Sequence, residues 1–219
     1  NFLKYASPPA TISNQLDFGI KSNIINHQLG LSLSIFEINK HNPYGYVYLN
    51  PSNPNYDEYD VYYEGHHRSR GLEVDIDGRL SSSITLTAGA AYTITRVMND
   101  PGYPSGNLLP NAPRYSSNVW LNYESQKTLK GLTAGLGWFY KDKFYSSISN
   151  DPNLLIPAGY TMDLALGYKF KRLGTQLNVM NFTNQVNYLN PWQFNLFEVR
   201  PLRQFIFTLS YRLQKKKKK

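Results

Sequence analysis

The chain reads as an all-β protein: an antiparallel transmembrane β-barrel with about nine strands present. Three observations point there. Apolar and polar residues alternate with period two along almost the whole chain, which is the signature of strands. Short and long connections alternate strictly between those strands. The face opposite the apolar one carries Asp, Thr, Asn, Gln and Lys, which suits a wet lumen rather than a packed centre.

The strands follow in order. Leu16, Phe18 and Ile20 alternate with Gln15, Asp17, Gly19 and Lys21, and Leu29, Leu31, Leu33 and Ile35 with Gln28, Gly30, Ser32 and Ser34. Leu72, Val74 and Ile76 oppose an acidic face of Glu73, Asp75 and Asp77. Ile84, Leu86, Ala88, Ala90, Tyr92 and Ile94 come next, then Val119, Leu121 and Tyr123, then Leu132, Ala134, Leu136, Trp138 and Tyr140. Met162, Leu164, Leu166 and Tyr168 follow, then Leu177 and Val179, and last Phe205, Phe207, Leu209, Tyr211 and Leu213. No segment reads as a convincing helix. Tyr92, Tyr123, Tyr140, Tyr168 and Tyr211 sit where interfacial aromatic girdles are expected.

The connections near Asn23–His27, Arg79–Ser83, Glu124–Lys130 and Phe170–Gly174 are short turns. Those near His41–His67, Asn99–Pro113, Phe144–Ala158 and Thr183–Val199 are long and rich in Pro, Asn, Gly and Tyr. In outer-membrane barrels short turns face the periplasm and long loops face outside. A soluble sandwich has no reason to gather its long loops at one end, and its apolar face would fill a core. The first and ninth strands then both run inward. Complete single-chain bacterial barrels have even strand numbers, so an odd count is expected to be the last part of a larger barrel.

Composition narrows the alternatives. Eighteen Tyr and 11 Phe argue against disorder, and the absence of Cys removes disulfides, thiolate zinc sites and cysteine nucleophiles. Mean hydropathy is -0.46, and no run approaches the roughly 20 apolar residues of a membrane helix. Formal net charge is +8, of which Lys215 to Lys219 supply five, leaving +3 for the rest. Residues 214–219 are therefore a basic tail behind a barrel segment spanning 1–213. The remaining Lys and Arg are scattered in sequence, so no nucleic-acid partner is expected. No signal peptide precedes the strands and the chain does not open with Met, which fits a processed chain or a piece of something longer.

Five motifs appear in a recognisable order. SNQLDFGIKS at 13–22 resembles the strand that TonB-dependent outer-membrane receptors write as S-x-x-x-E-x-G-x-K. GHHRSRGLEVDIDG at 65–78 is similar to their G-x-x-R-S-R-G-x-E strand, and NAPRYSSNVWLNY at 111–123 to their N-x-P-x-x-x-x-N-x-x-x-x-Y segment. LNVMNFTN at 177–184 matches V-x-N-x-x-N, and RPLRQFIFTLSYRL at 200–213 resembles the final strand. The subgroup most similar is the ferric-siderophore receptors.

That resemblance implies a barrel of about 22 strands around a plug, of which these are the last nine. The plug domain and its TonB-contacting box are missing from this sequence. Implied partners are a ferric siderophore, outer-membrane lipid, TonB through the plug region, and the barrel-assembly machinery. The implied location is the outer membrane of a Gram-negative bacterium. No cofactor is expected, since iron arrives inside the siderophore. The final strand, with Phe205, Phe207, Leu209, Tyr211 and Leu213, is the expected assembly signal, although Leu213 stands where an aromatic is usual. A self-contained small barrel acting as a pore or adhesin is the alternative.

Ligand contact is expected from the loop tyrosines Tyr44, Tyr46, Tyr48, Tyr56, Tyr59, Tyr62 and Tyr63 and, less so, from Trp192 and Phe194 of the last loop. Tyrosine offers a flat apolar ring and a hydroxyl at small entropy loss, which suits a bulky polar chelate. His41, His66 and His67 bracket that loop, but adjacent strand residues point to opposite faces, so no metal ligand is assigned. Ser69, His67, Glu73 and Asp75 could be read as a hydrolytic set. Neighbours on one strand rarely build such a triad, and no G-x-S-x-G elbow is present. No catalytic residue is expected.

Overall fold

The computed structural model describes residues 8–24, 28–48, 59–127, 129–189 and 197–213. Nine long strands form one sheet in which each pairs antiparallel with its successor. They are β1 (Ile12–Ile24), β2 (Leu29–His41), β3 (His66–Arg79), β4 (Ile84–Asn99), β5 (Tyr115–Glu124), β6 (Leu132–Lys141), β7 (Gly159–Phe170), β8 (Leu173–Met180) and β9 (Gln204–Tyr211). β1 and β9 form the two edges. Three two-stranded hairpins decorate the long connections: Tyr44–Tyr48 with Tyr59–Tyr63, Phe144–Tyr145 with Leu155–Ile156, and Tyr188–Leu189 with Glu198–Val199. The helical content of the described residues is a single 3₁₀ turn, Pro152–Leu154.

Register decides which side chains share a face, because a slip of one residue would exchange the faces. One ladder row runs Ile24, Leu29, Gly78, Leu86, Leu121, Leu136, Leu164, Val179, Phe205 across all nine strands. Eight of these nine positions are apolar. The neighbouring row on the other face runs Asn23, Gly30, Asp77, Thr87, Trp120, Gly137, Asp163. The apolar row starts beside the short turn before β2 and finishes at the long-loop end of β9. Strands cut obliquely by their own hydrogen-bond rows in this way are tilted and staggered, as barrel closure requires.

The apolar face is exposed. Leu16, Phe18, Phe205 and Phe207 are 76%, 72%, 66% and 67% accessible, and they continue a sheet-wide patch that water would not tolerate. Hydrocarbon is the solvent such a face fits. The polar face is crossed by small residues where a side chain lies flat: at Gly71 an added Cβ would stand 2.6 Å from the Phe36 ring and 2.5 Å from the Tyr92 carbonyl oxygen.

β9 ends at Tyr211, two residues before the Leu213 end expected for the signal strand. Its last ladder contact is Arg212 N–H donating to the Arg172 carbonyl, at the two-residue turn where partner strand β8 begins. Leu213 lies past that turn, outside the strand and 84% exposed.

Candidate ligand-binding mouth

All four long connections lie at one end of the sheet, where antiparallel pairing brings them together. The tightly packed interior of the molecule lies there too: Tyr62, Val97, Phe144 and Ile156 are all buried at this end.

Asparagines hold the loops. Asn111, Asn150, Asn181 and Asn184 all have positive φ, a region Asn enters more easily than most residues because its short amide bonds locally. Asn181 donates from its side chain to the Gln185 carbonyl (2.8 Å), accepts from Gln185 N–H (2.9 Å), and gives its own N–H to Asp163 (2.7 Å). Asn184 accepts from Arg203 N–H at 3.0 Å. The V-x-N-x-x-N motif is therefore a turn that folds the last loop back on β7. Asn150 clasps two loops together, accepting from Leu108 N–H at 2.6 Å and donating to the Leu108 carbonyl at 2.8 Å. Asn107 adds a bond to the Ile148 carbonyl at 2.9 Å. Lys141 Nζ lies 4.7 Å from the centroid of the buried Phe144 ring.

The tyrosine-rich hairpin divides its tyrosines. Backbone register pairs position 44 with 63 and 45 with 62, so Tyr44 and Tyr63 share one face and Tyr62 lies on the other; the side chains of Tyr46, Tyr48 and Tyr59 lie outside those described. Tyr44 is 60% exposed, and its ring lies 5.8 Å from that of Tyr63. Tyr62 is buried over Gly45, and its hydroxyl donates to Asp100 Oδ1. Burial and the adjoining carboxylate push its phenol pKa far above the ordinary range. Asp100 also accepts from Gly102 N–H at 3.0 Å and pairs through Oδ2 with His67 Nε2 at 2.8 Å. Tyr62 is thus turned away from the tyrosine face and tethers the hairpin to the end of β4. Tyr56, Trp192, Phe194 and the tail 214–219 lie outside the described residues.

Asp100 was not a candidate from sequence; an acid placed just after a strand and just before Pro101 was the available signal. The histidines part as alternation requires. His66 stacks on His41 at 4.6 Å and bonds Asn39 Oδ1 at 2.8 Å, while His67 turns to Asp100. No cluster of three metal-ligating side chains occurs among the described residues. Ser69 is engaged with Thr95 Oγ1 at 2.8 Å rather than with His67, so the hydrolytic set is not assembled.

A tilted antiparallel wall with a lipid face, a polar lumen face and one looped mouth defines an outer-membrane β-barrel receptor or pore. The model of the TonB dependent receptor-like β-barrel matches residues 4–184, and the chain belongs to that family. It is 28% identical over 180 residues to the metal-pseudopaline receptor CntO of Pseudomonas aeruginosa, covering 80% of this chain and 24% of that protein. It is 32% identical over 127 residues to the ferrioxamine B receptor of Salmonella typhimurium, covering 55% of this chain and 18% of that one. The fold is shared with the siderophore receptor PiuA of Acinetobacter baumannii at a TM-score of 0.74 and 21% identity, over 91% of this chain and 28% of PiuA. The ferripyoverdine receptor of Pseudomonas aeruginosa, solved with ferripyoverdine bound, superposes at a TM-score of 0.71 and 22% identity. The chain spans about a quarter or less of the length of the two curated relatives named above. Proteins of this family are transport receptors of the Gram-negative outer membrane, and this chain forms a nine-stranded arc of such a wall.

Proposed function

We propose that this arc supplies wall and mouth loops to a receptor that imports a ferric siderophore across the outer membrane under TonB control. The carrying observation is the sorting of the sheet into a lipid face and a polar lumen face, with every long connection at one end. The receptors it resembles by sequence include those for metal-pseudopaline and ferrioxamine B. Iron travels inside its chelator, so neither a resident cofactor nor a protein metal site is needed, and uptake proceeds by binding without chemical conversion. TonB acts through a plug region supplied by the rest of the receptor, lipid solvates the outer face, and the barrel-assembly machinery receives β9. The exposed tyrosine face of the hairpin, with Tyr44 and Tyr63, is the surface offered to the chelate; Tyr62 supports it from behind.

The test is uptake of iron-55 carried by a panel of hydroxamate, catecholate and opine-type chelators, in cells expressing the complete receptor. TonB-dependent uptake of at least one chelate is expected, with loss on deleting residues 44–63. Absence of energised uptake for every chelate, with a conductive channel in planar bilayers, would transfer the assignment to a pore.

A further inference from the structure

The apolar outer face stops before its strands do. On β2 the face that carries Leu33 and Ile35 continues to Glu37, Asn39 and His41. On β3, beyond Leu72, it carries Arg70, Arg68 and His66, and on β4, beyond Tyr92 and Ile94, it carries Arg96. Register joins these into one patch: Glu37 opposite Arg70, Asn39 opposite Arg68 and Arg68 opposite Arg96, with His41 opposite His66 above. The Tyr92 and Tyr115 rings, 4.7 Å apart, mark the upper edge of the apolar band beside it.

Height and charge both bear on what the patch meets. With a rise of about 3.4 Å per residue and a tilt of about 40°, Arg70 stands level with the last apolar residue of β4, Ile94, and Arg68 and Arg96 stand roughly 5 Å above that level. That is the headgroup layer, which adds about 5–8 Å beyond hydrocarbon on each side. Three guanidinium groups share the patch with one carboxylate, Glu37, which already accepts from Arg70 Nε. Arg96 gives one N–H to the Gly106 carbonyl at 2.7 Å, leaving most of its fork unused. The Arg68 guanidinium makes no side-chain hydrogen bond or ion pair with any described residue, and the one carboxylate whose charge it feels, Glu37, is already bonded to Arg70. Like charges directly opposite each other on a ladder are destabilising, so the Arg68–Arg96 pair costs stability unless an anion sits between them.

We propose that this patch is a binding site for the phosphate groups of the anionic glycolipid in the outer leaflet, with Arg68 and Arg96 gripping one phosphate and Arg70 beside them. The inference rests on the outer-membrane placement above, not on which chelate is carried. A siderophore is not the fitting occupant, because the patch lies on the side of the wall opposite the lumen. Guanidinium forks match phosphate oxygens bidentately, and the layer at this depth is where a lipid presents them. The stacked His41–His66 pair and the Asn39 bridge keep the neighbouring surface in place.

The experiment uses the complete receptor in detergent, probed with bisphosphorylated deep-rough glycolipid and with its phosphate-free form, bound lipid being counted by native mass spectrometry. Arg68→Gln with Arg96→Gln should lower glycolipid binding at least tenfold, the phosphate-free probe should bind wild type no better than it binds this variant, and Glu37→Gln should tighten binding about twofold. Equal binding of both probes by wild type, or unchanged binding by the double variant, overturns the proposal. Heat-modifiable migration reports folding of each variant. Should the double variant misfold, Arg68→Gln alone is read in its place, with at least threefold weaker binding expected and unchanged binding overturning the site. Iron-55 uptake by Arg68→Gln should equal wild type, so failure of the lipid site and failure of the transport reading appear in different assays.

Discussion

The wall and the mouth are stabilised by different means. In the wall, each residue from β1 to β9 is placed by a backbone ladder, and its side chain meets lipid on one face or water on the other; Leu29 is the only wall residue below the mouth that is both apolar and buried among the described residues. At the mouth, side chains do the joining: Tyr62 on Asp100, Asn150 on Leu108, Asn181 on Gln185, with Val97, Phe144 and Ile156 packed beneath. A wall tolerates exchange within a face and fails when a face is violated. A mouth built of single contacts fails one residue at a time.

The largest effect expected from that difference is a face violation in the wall. Phe207→Arg puts a charge in the lipid band, costing about 2–4 kcal/mol near the midplane, whereas Thr208→Arg on the lumen face should cost little. Heat-modifiable gel migration of the complete receptor measures the folded fraction, and equal losses for the two would contradict the assignment of faces. Next comes the mouth interior. Ile156→Ala removes a fully buried side chain at a cost of about 2–5 kcal/mol, and the damage should stay local. Limited proteolysis should cut between residues 142 and 158 while the barrel still migrates as folded.

Smaller again is Asp100→Ala, which strands the Tyr62 hydroxyl and frees His67. A buried donor left unpaired costs about 1–3 kcal/mol, and hydrogen exchange should accelerate across residues 59–67 and little elsewhere. Tyr62→Phe, by contrast, removes the donor and leaves Asp100 its two other partners, so exchange there should rise less. The smallest structural effect is Tyr44→Ala on the exposed tyrosine face, within about 0.5 kcal/mol. Its effect should appear in chelate uptake instead, and unchanged uptake would remove Tyr44 from the mouth surface.

Much of the wall was legible in sequence because period two is a property of strands alone. Leu29 to Ile35 against Gly30 to Ser34 announces two faces without any knowledge of neighbours. Strand ends were legible from the loops: a connection near His41–His67 leaves β2 to run through Glu37 to His41 and β3 to start at His66, although polarity on the outer face there breaks the apolar alternation. The mouth was legible mainly as motif. V-x-N-x-x-N was recognised as a pattern, but its reason, two Asn with positive φ bonding a loop, appears only in the folded turn. Tyrosine content marked the hairpin, yet the separation of Tyr62 from Tyr44 and Tyr63 depends on which residue opposes which across it.

By itself the sequence determined the class of the fold, the number of wall strands, the end at which the loops gather and the family. All of these follow from local alternation, turn chemistry and ordered motifs. Tertiary structure alone decided where β9 stops, what Asp100 holds, and that Arg68 and Arg96 take opposite positions on neighbouring strands. Those facts depend on register between strands far apart in the chain. Register is set by the summed fit of whole faces, which no short window of sequence contains.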